Sequence, residues 1–205
     1  MGDAVKEEIK EAIKAYDKIA SLYASYKSEK LLQYQLNKFI SLLKGKKILD
    51  AGCGTGRDVD YFNEEGVEAV GIDISKGMLE EAKKRVPGGK FIHMDFSKTK
   101  FPDNSFHGIW CMASLGDVTK DDISKVLKEF NRLLDKQGIL YTAVKHGKGQ
   151  EVVKKRKYND LPRLYVYYEK AELEDFLKKA GFSIINSIVS EDEGREWLEI
   201  FAKKI

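Results

Sequence analysis

A chain of 205 residues with 42% hydrophobic content can bury one full core and is too apolar for a disordered segment. Its 36 basic and 33 acidic residues leave a net charge of +3, too balanced to imply a nucleic-acid partner by charge alone. The 2 cysteines, Cys53 and Cys111, are too few for a disulfide framework and do not form a metal-type pair.

Charged residues make up 34% of the chain, with Lys and Glu prominent, a composition shared by high-temperature proteins and helix-rich surfaces. No apolar run approaches the ~20 residues of a membrane span. The charged, helical start MGDAVKEEIKEAIK does not read as a signal peptide, so a reducing cytoplasm is the expected compartment.

From Asp3 to about Tyr23, Val5, Ile9, Ile13, Tyr16 and Ala20 recur at helical spacing. A second helix is predicted from an N-cap at Ser28, burying Leu31, Leu32, Leu36, Phe39, Ile40 and Leu43 and ending at Lys44-Gly45. The pattern then changes to strand, glycine, helix, repeated. KKILDA is a strand and Asp58 to Glu65 a helix. VEAVGID is a strand, and Ser75 caps the next helix. KFIHMD and HGIWCMA are the third and fourth strands. Thr119 with Asp122 reads as a capping box for a helix ending near Leu134, and Gly138 opens a fifth strand, ILYTAV. These strands alternate little, as parallel strands buried on both faces do, and their alternation with helices predicts a doubly wound α/β sheet. Residues 145–168 form a long, basic, Tyr-rich connection. AELEDFLKKAG is a helix closed by Gly181, and FSIINSIVS and REWLEIFAK form an antiparallel hairpin across EDEG.

The stretch ILDAGCGTGRD, after the first strand, carries the chemical signal. A phosphate-cradling loop needs Lys and Ser/Thr after its last glycine, where Arg57-Asp58 stand instead. A dinucleotide loop needs glycines at its first, third and sixth positions. Here they are Gly52, Gly54 and Gly56, so the last is displaced, and the Asp50 carboxylate would crowd a pyrophosphate. S-adenosylmethionine fits better. Asp50 favours its ammonium and sulfonium, and helix-start amides meet its carboxylate. Asp73, ending the second strand, can accept from both ribose hydroxyls. Asp95 can accept the adenine amino group while Phe96 or Met78 covers the ring.

On ILDAGCGTGRD, GIDISKGMLEEAKKR, HMDF and SFHGIWCMASLGDV, in this order and spacing, the chain resembles the class I S-adenosylmethionine-dependent methyltransferases over residues 10–202. The resemblance implies a Rossmann-like seven-stranded sheet, order 3-2-1-4-5-7-6, with five parallel strands, an antiparallel C-terminal hairpin and two N-terminal helices. It implies a single methyltransferase domain over 1–205, residues 1–44 forming a helical lid and 145–168 a substrate cover. It places Gly52, Gly54, Asp73, Asp95 and Phe96 at the cofactor, and the lid segment AYDKIASLYASY offers Tyr16 or Tyr23 to the methionine carboxylate. Asp50, Arg57, Ile74, Met78 and Cys111 complete the expected cofactor set; both cysteines also read as small packing residues. Two departures stand out: His107 replaces an Asp before the fourth strand, at its end remote from the ligand, and Gly116-Asp117 stands where small-molecule members often carry a His.

Of the histidines, His146 follows the fifth strand on the ligand side, His93 reads as a satisfied core residue, and His107 lies on the wrong side. His146 and Tyr168 are the candidate bases for a hydroxyl acceptor. Lys145, Arg163, Tyr167 and Arg195 are the expected substrate contacts, since cations beside aromatics can hold an acidic or planar molecule. The fourth strand is followed by neither Asn/Asp-Pro-Pro-Tyr/Phe nor Pro-Cys, which argues against base-nitrogen and pyrimidine carbon-5 methylation. The expected function is methyl transfer from S-adenosylmethionine to a small molecule. The alternatives are an RNA or protein methyltransferase using the basic 145–163 segment, a non-catalytic binding protein of the same fold, and an NAD oxidoreductase. No metal or membrane partner is expected, and the sequence does not decide the oligomeric state.

Overall fold

A computed structural model describes residues 2–27, 32–192 and 194–205. The helices are α1 (Gly2–Lys27), α2 (Gln33–Leu42), α3 (Arg57–Glu64), α4 (Lys76–Arg85), α5 (Ile123–Leu133) and α6 (Lys170–Lys179). The strands are β1 (Lys47–Ala51), β2 (Glu68–Asp73), β3 (Lys90–His93), β4 (Phe106–Met112), β5 (Leu134–Lys145), β6 (Gln150–Lys154), β7 (Pro162–Val166), β8 (Phe182–Asp192) and β9 (Arg195–Lys204). Seven of them form one sheet in the order β3-β2-β1-β4-β5-β9-β8. β1 to β5 pair in parallel, and β9 lies antiparallel between β5 and β8. Counting β8 and β9 as the sixth and seventh strands of this sheet, this is the order 3-2-1-4-5-7-6 expected from the sequence. Among the described residues no helix is long and apolar enough to cross a membrane. The N-cap expected at Ser28 lies outside the described residues, as does Glu193 of the hairpin turn.

Both faces of the central strands are buried, which explains their unbroken apolar runs. On one face Leu49, Ile109 and Cys111 pack with Leu127 and Phe130 of α5 and Leu173 and Leu177 of α6. On the other, Ile48, Trp110 and Tyr141 pack with Leu36 and Phe39 of α2 and Val59 and Phe62 of α3. Trp110 centres this second core. Its ring stacks on Tyr141 at 4.0 Å between centroids and meets Phe39 and Phe62 edge-on at 5.4 and 5.5 Å. Its Nε1–H donates to the buried Asp58 carboxylate at 2.8 Å.

Local details differ from the sequence reading for identifiable reasons. His93 is exposed rather than in the core, because β3 is an edge strand; its Nε2 pairs with the Ile74 carbonyl at 2.9 Å. β5 starts at Leu134, not Gly138, because Leu134 pairs with Phe106 across a register shift. The Thr119 hydroxyl bonds the Asp122 side chain at 3.0 Å, and Asp122 makes no side-chain cap, so the expected capping box is instead a turn before α5. Ser75 does cap α4, its hydroxyl accepting from the Met78 N–H at 3.2 Å. The 145–168 connection contains a second two-stranded sheet, β6 with β7. Alternation along β7 explains it: Leu164 and Val166 enter the main core, leaving Arg163 and Tyr165 on the other face.

α1 packs on α4 through Ile19 and Ala20 against Met78, and one polar side chain ties the two helices. Asp17 Oδ1 accepts from the Ser75 hydroxyl at 2.6 Å and from the Gly77 N–H at 2.9 Å. Gly77 is needed there, since a Cβ on it would stand 2.7 Å from the Asp17 carbonyl oxygen. Asp17→Ala is expected to speed hydrogen exchange of the α1 amides selectively while lowering global stability by no more than about 1–2 kcal/mol. Unchanged α1 protection, read by hydrogen exchange and mass spectrometry, would show that the contact does not hold the helix.

Candidate active site

The C-terminal ends of β1, β2 and β4 meet at one edge, where ligands bind open α/β sheets. The loop after β1 runs with positive φ at Gly52, Gly54 and Gly56. Gly56 opens α3, and a Cβ on it would stand 2.9 Å from Phe91 and 3.0 Å from Ala82 Cβ. The fifth-position glycine therefore supplies the close helix packing that a dinucleotide loop obtains from its sixth. The Gly52 and Cys53 N–H groups both donate to the Ile72 carbonyl, at 2.9 and 3.0 Å. Asp73 completes the tie: its Oδ2 accepts from Gly54 N–H at 2.9 Å and its Oδ1 from Ser75 N–H at 2.8 Å.

Two cavities open beside this loop. The first, about 350 Å³, is lined by Tyr16 and Tyr23 of α1, Gly52, Gly54, Asp73, Ile74, Met78, Asp95, Phe96, Ser114, Asp117 and Arg163, among others. The second, about 400 Å³, shares Tyr23, Gly52, Gly54, Met112, Ala113 and Arg163 with it. It extends past Asp50 and Arg57 to Lys145, Lys155, Tyr158, Tyr165, Arg195 and Trp197. Asp95 holds a tight turn, its Oδ1 accepting from Ser97 N–H at 2.7 Å. Phe96 packs against Phe130, with ring centroids 5.8 Å apart. Met78 is core on one side, beside Ile19 and Tyr158, and cavity wall on the other.

The charges are arranged unevenly. Asp50 is 2% exposed and its Oδ2 has no hydrogen-bond partner. Burial, then the neighbouring Asp58, pushes its carboxyl well above the usual range. Arg57 is held by Asp58, Nε to Oδ1 at 2.7 Å. Burial also raises Asp73, while the Ser75 and Gly54 amides pull it back. Asp117 accepts from the Tyr16 hydroxyl at 3.3 Å and is pushed up to about 7 by burial, with Arg163 and that hydrogen bond opposing. The Arg163 guanidinium lies 5.0, 5.2 and 5.1 Å from the ring centroids of Tyr16, Tyr158 and Tyr165, and its buried Nε has no hydrogen-bond partner.

Four expected site residues are placed elsewhere. Tyr168 is fully buried and donates to the Val118 carbonyl at 3.2 Å, so its hydroxyl is committed to the core. Cys111 is fully buried in the core on the α5 face, because side chains alternate along β4 and its neighbour Met112 meets the cavities. Tyr167 donates to Glu151 and lines neither cavity; Tyr165, two residues earlier, lines the second. His146 pairs through Nδ1 with Glu196 at 3.0 Å and also lines neither. Sequence reasoning overlooked Asp117, which a 3-10 turn at Leu115–Asp117 swings under α1, and Lys155, because only the β6–β7 fold brings it inward. Among the described residues no cluster of His, Cys, Asp and Glu could hold a metal ion.

Residues 48–138 match the family model of a methyltransferase domain. The chain is 24% identical over 204 residues to a malonyl-[acyl-carrier protein] O-methyltransferase of Hamiltonella defensa, a match covering 93% of this chain and 76% of that protein. It is 33% identical over 134 residues to a demethylmenaquinone methyltransferase of Staphylococcus aureus, covering 62% of this chain and 54% of that protein. The chain thus spans about half the length of the latter relative. A solved structure of the Burkholderia thailandensis 1,6-didemethyltoxoflavin-N1-methyltransferase, with 1,6-didemethyltoxoflavin and S-adenosylhomocysteine bound, superposes with a TM-score of 0.69 at 21% identity, covering 94% of this chain and 88% of that one.

The raised Asp117 gives a pH test. The folded protein holds this proton up to about 7, whereas the unfolded chain releases it near the ordinary aspartate value of 3.8. Its favourable contribution is therefore complete below about pH 4 and is lost as pH rises through about 7. Asp117→Asn removes that loss. In urea unfolding the variant should gain about 1–2 kcal/mol over the parent at about pH 8, with the difference vanishing near about pH 4. A difference independent of pH would show that Asp117 is ionised in the native state throughout.

Proposed function

We propose that the chain is a class I S-adenosylmethionine-dependent methyltransferase and that it transfers a methyl group from S-adenosylmethionine to a small-molecule acceptor by in-line displacement. The observation that carries this reading is the pair of cavities meeting at Gly52, Gly54, Met112, Ala113 and Arg163, one built from the strand-end loop and its acids, the other from the β6–β7 hairpin. The residues fit the cofactor. The unpartnered Asp50 Oδ2 suits a cationic group, and each Asp73 oxygen keeps a lone pair for a ribose hydroxyl. Asp95 stands ready for the adenine amino group, with Ile74, Met78 and Phe96 around the ring.

When bound, S-adenosylmethionine supplies a methyl on a sulfonium, whose carbon–sulfur bond breaks with its electrons left on sulfur as the acceptor's lone pair forms the new bond. The protein's contribution is alignment and exclusion of water, because the sulfonium charge disappears along the reaction and a strong anion at sulfur would favour the ground state. Asp50 meets that requirement: burial weakens its charge, and Asp58 and Arg57 fix its surroundings. α1 acts as the lid, with Tyr16 and Tyr23 closing the first cavity and Asp17 tying the helix down. The hairpin within 145–168 acts as the substrate cover. Lys145, Lys155 and Arg163 of the basic 145–163 segment are half-buried and line a cavity, which favours a small acceptor over RNA. The two cysteines are free and buried, which suits a reducing cytoplasm.

Calorimetric titration with S-adenosylhomocysteine, with NAD as the control, tests the reading. Binding of the former alone is expected, and its absence would overturn the proposal. Asp73→Asn should weaken that binding by about 1–3 kcal/mol, as expected for a lost charge-assisted acceptor.

A further inference from the structure

The second cavity concentrates cations that the methyl-transfer step does not use. Arg163 stands at the junction, stacked among Tyr16, Tyr158 and Tyr165, with its Nε buried and lacking an acceptor. Lys145, at the end of β5, lies over the Tyr165 ring. Lys155 and Arg195 line the same space from the hairpin and from β9. Of the acids that line it, Asp50 is pushed toward its neutral form by burial, and the others are spoken for or peripheral. Glu199 accepts from the Tyr141 and Ser190 hydroxyls at 3.2 and 3.0 Å, Asp58 is held by Arg57 and Trp110, and Glu191 and Asp192 are exposed.

A buried guanidinium with an unused donor is costly unless something accepts from it. Tyrosine faces stabilise its charge but do not accept an in-plane N–H. An oxyanion fits this place, because a carboxylate or phosphoryl group presents two oxygens to a planar fork. Met112 and Trp197, partly buried, add apolar wall for the body that carries it. Resting on the methyltransferase reading above, we infer that the acceptor carries an oxyanion, a carboxylate or phosphoryl group, held in the second cavity by Arg163 with Lys145 beside it.

The electrostatics agree. Burial, then Lys155, Arg163 and Arg195, pushes Lys145 down to about 6, with Asp117 opposing. Lys145 is then neutral near pH 7, and an arriving anion restores its proton. Anion binding therefore takes up a proton.

The test uses the full chain saturated with S-adenosylhomocysteine and titrated with benzoate, phenyl phosphate and benzamide. At least one of the two anions should bind about tenfold or more tightly than the neutral amide, and which one binds better identifies the group. At about pH 7.5, titrations in buffers of different ionisation enthalpy should show net proton uptake that Lys145→Met abolishes. Arg163→Gln should erase the preference for the anion. Should that variant not fold, Arg195→Gln and Lys145→Met are each expected to reduce the preference. Equal affinity for benzamide and the anions, or no binding of either anion, would overturn the inference, and binding without proton uptake would remove Lys145 from the site. Failure of S-adenosylhomocysteine to bind would instead overturn the methyltransferase reading itself, so the two failures are distinguishable.

Discussion

One carboxylate organises the ligand edge of this fold. Asp73, at the end of β2, accepts one amide from the glycine loop and one from the start of α4. Ser75, fixed by the second bond, uses its hydroxyl both to cap α4 and to reach Asp17 on α1. The loop, the helix start and the N-terminal helix are thus referenced to a single strand end. Carboxylate-to-amide bonds are strong where water is scarce, and the amides recover part of the burial cost that Asp73 bears. The first cavity owes its shape to this chain of contacts.

Behind the edge lies a stiff aromatic layer. Trp110 is clamped by Tyr141, Phe39 and Phe62, and its only donor is used on Asp58. Asp58 in turn holds Arg57, at the first turn of α3. Core packing and site electrostatics are therefore joined: the group that satisfies the indole also sets the charge next to Asp50. Truncating such a ring would cost about 3–5 kcal/mol in stability and would disturb the loop as well.

Most of the sheet was legible because its signals are local. Buried parallel strands leave unbroken apolar runs, glycines with positive φ mark the loop, and acids at strand ends mark the ligand edge. The errors arise where a residue's direction depends on tertiary pairing. Cys111 and Met112 are neighbours, yet alternation sends one to the core and the other to the cavities. Tyr165, Tyr167 and Tyr168 are equivalent in composition, and only the β6–β7 pairing separates wall, surface and core. His146 looked poised on the ligand side until the C-terminal hairpin supplied Glu196. Asp117 gave no periodic signal because it sits in a single short turn.

Arg163 is wall to both cavities and is stacked on Tyr16 of α1 as well as on Tyr158 and Tyr165. A shared wall makes the two compartments thermodynamically linked. Whatever settles this guanidinium from one side changes the free energy of binding on the other, and the effect is the same in both directions. The rings that hold Arg163 belong to separate segments, so ordering one of them restricts the other. Two ligands seated in these cavities would be coupled through a single guanidinium inside one small fold.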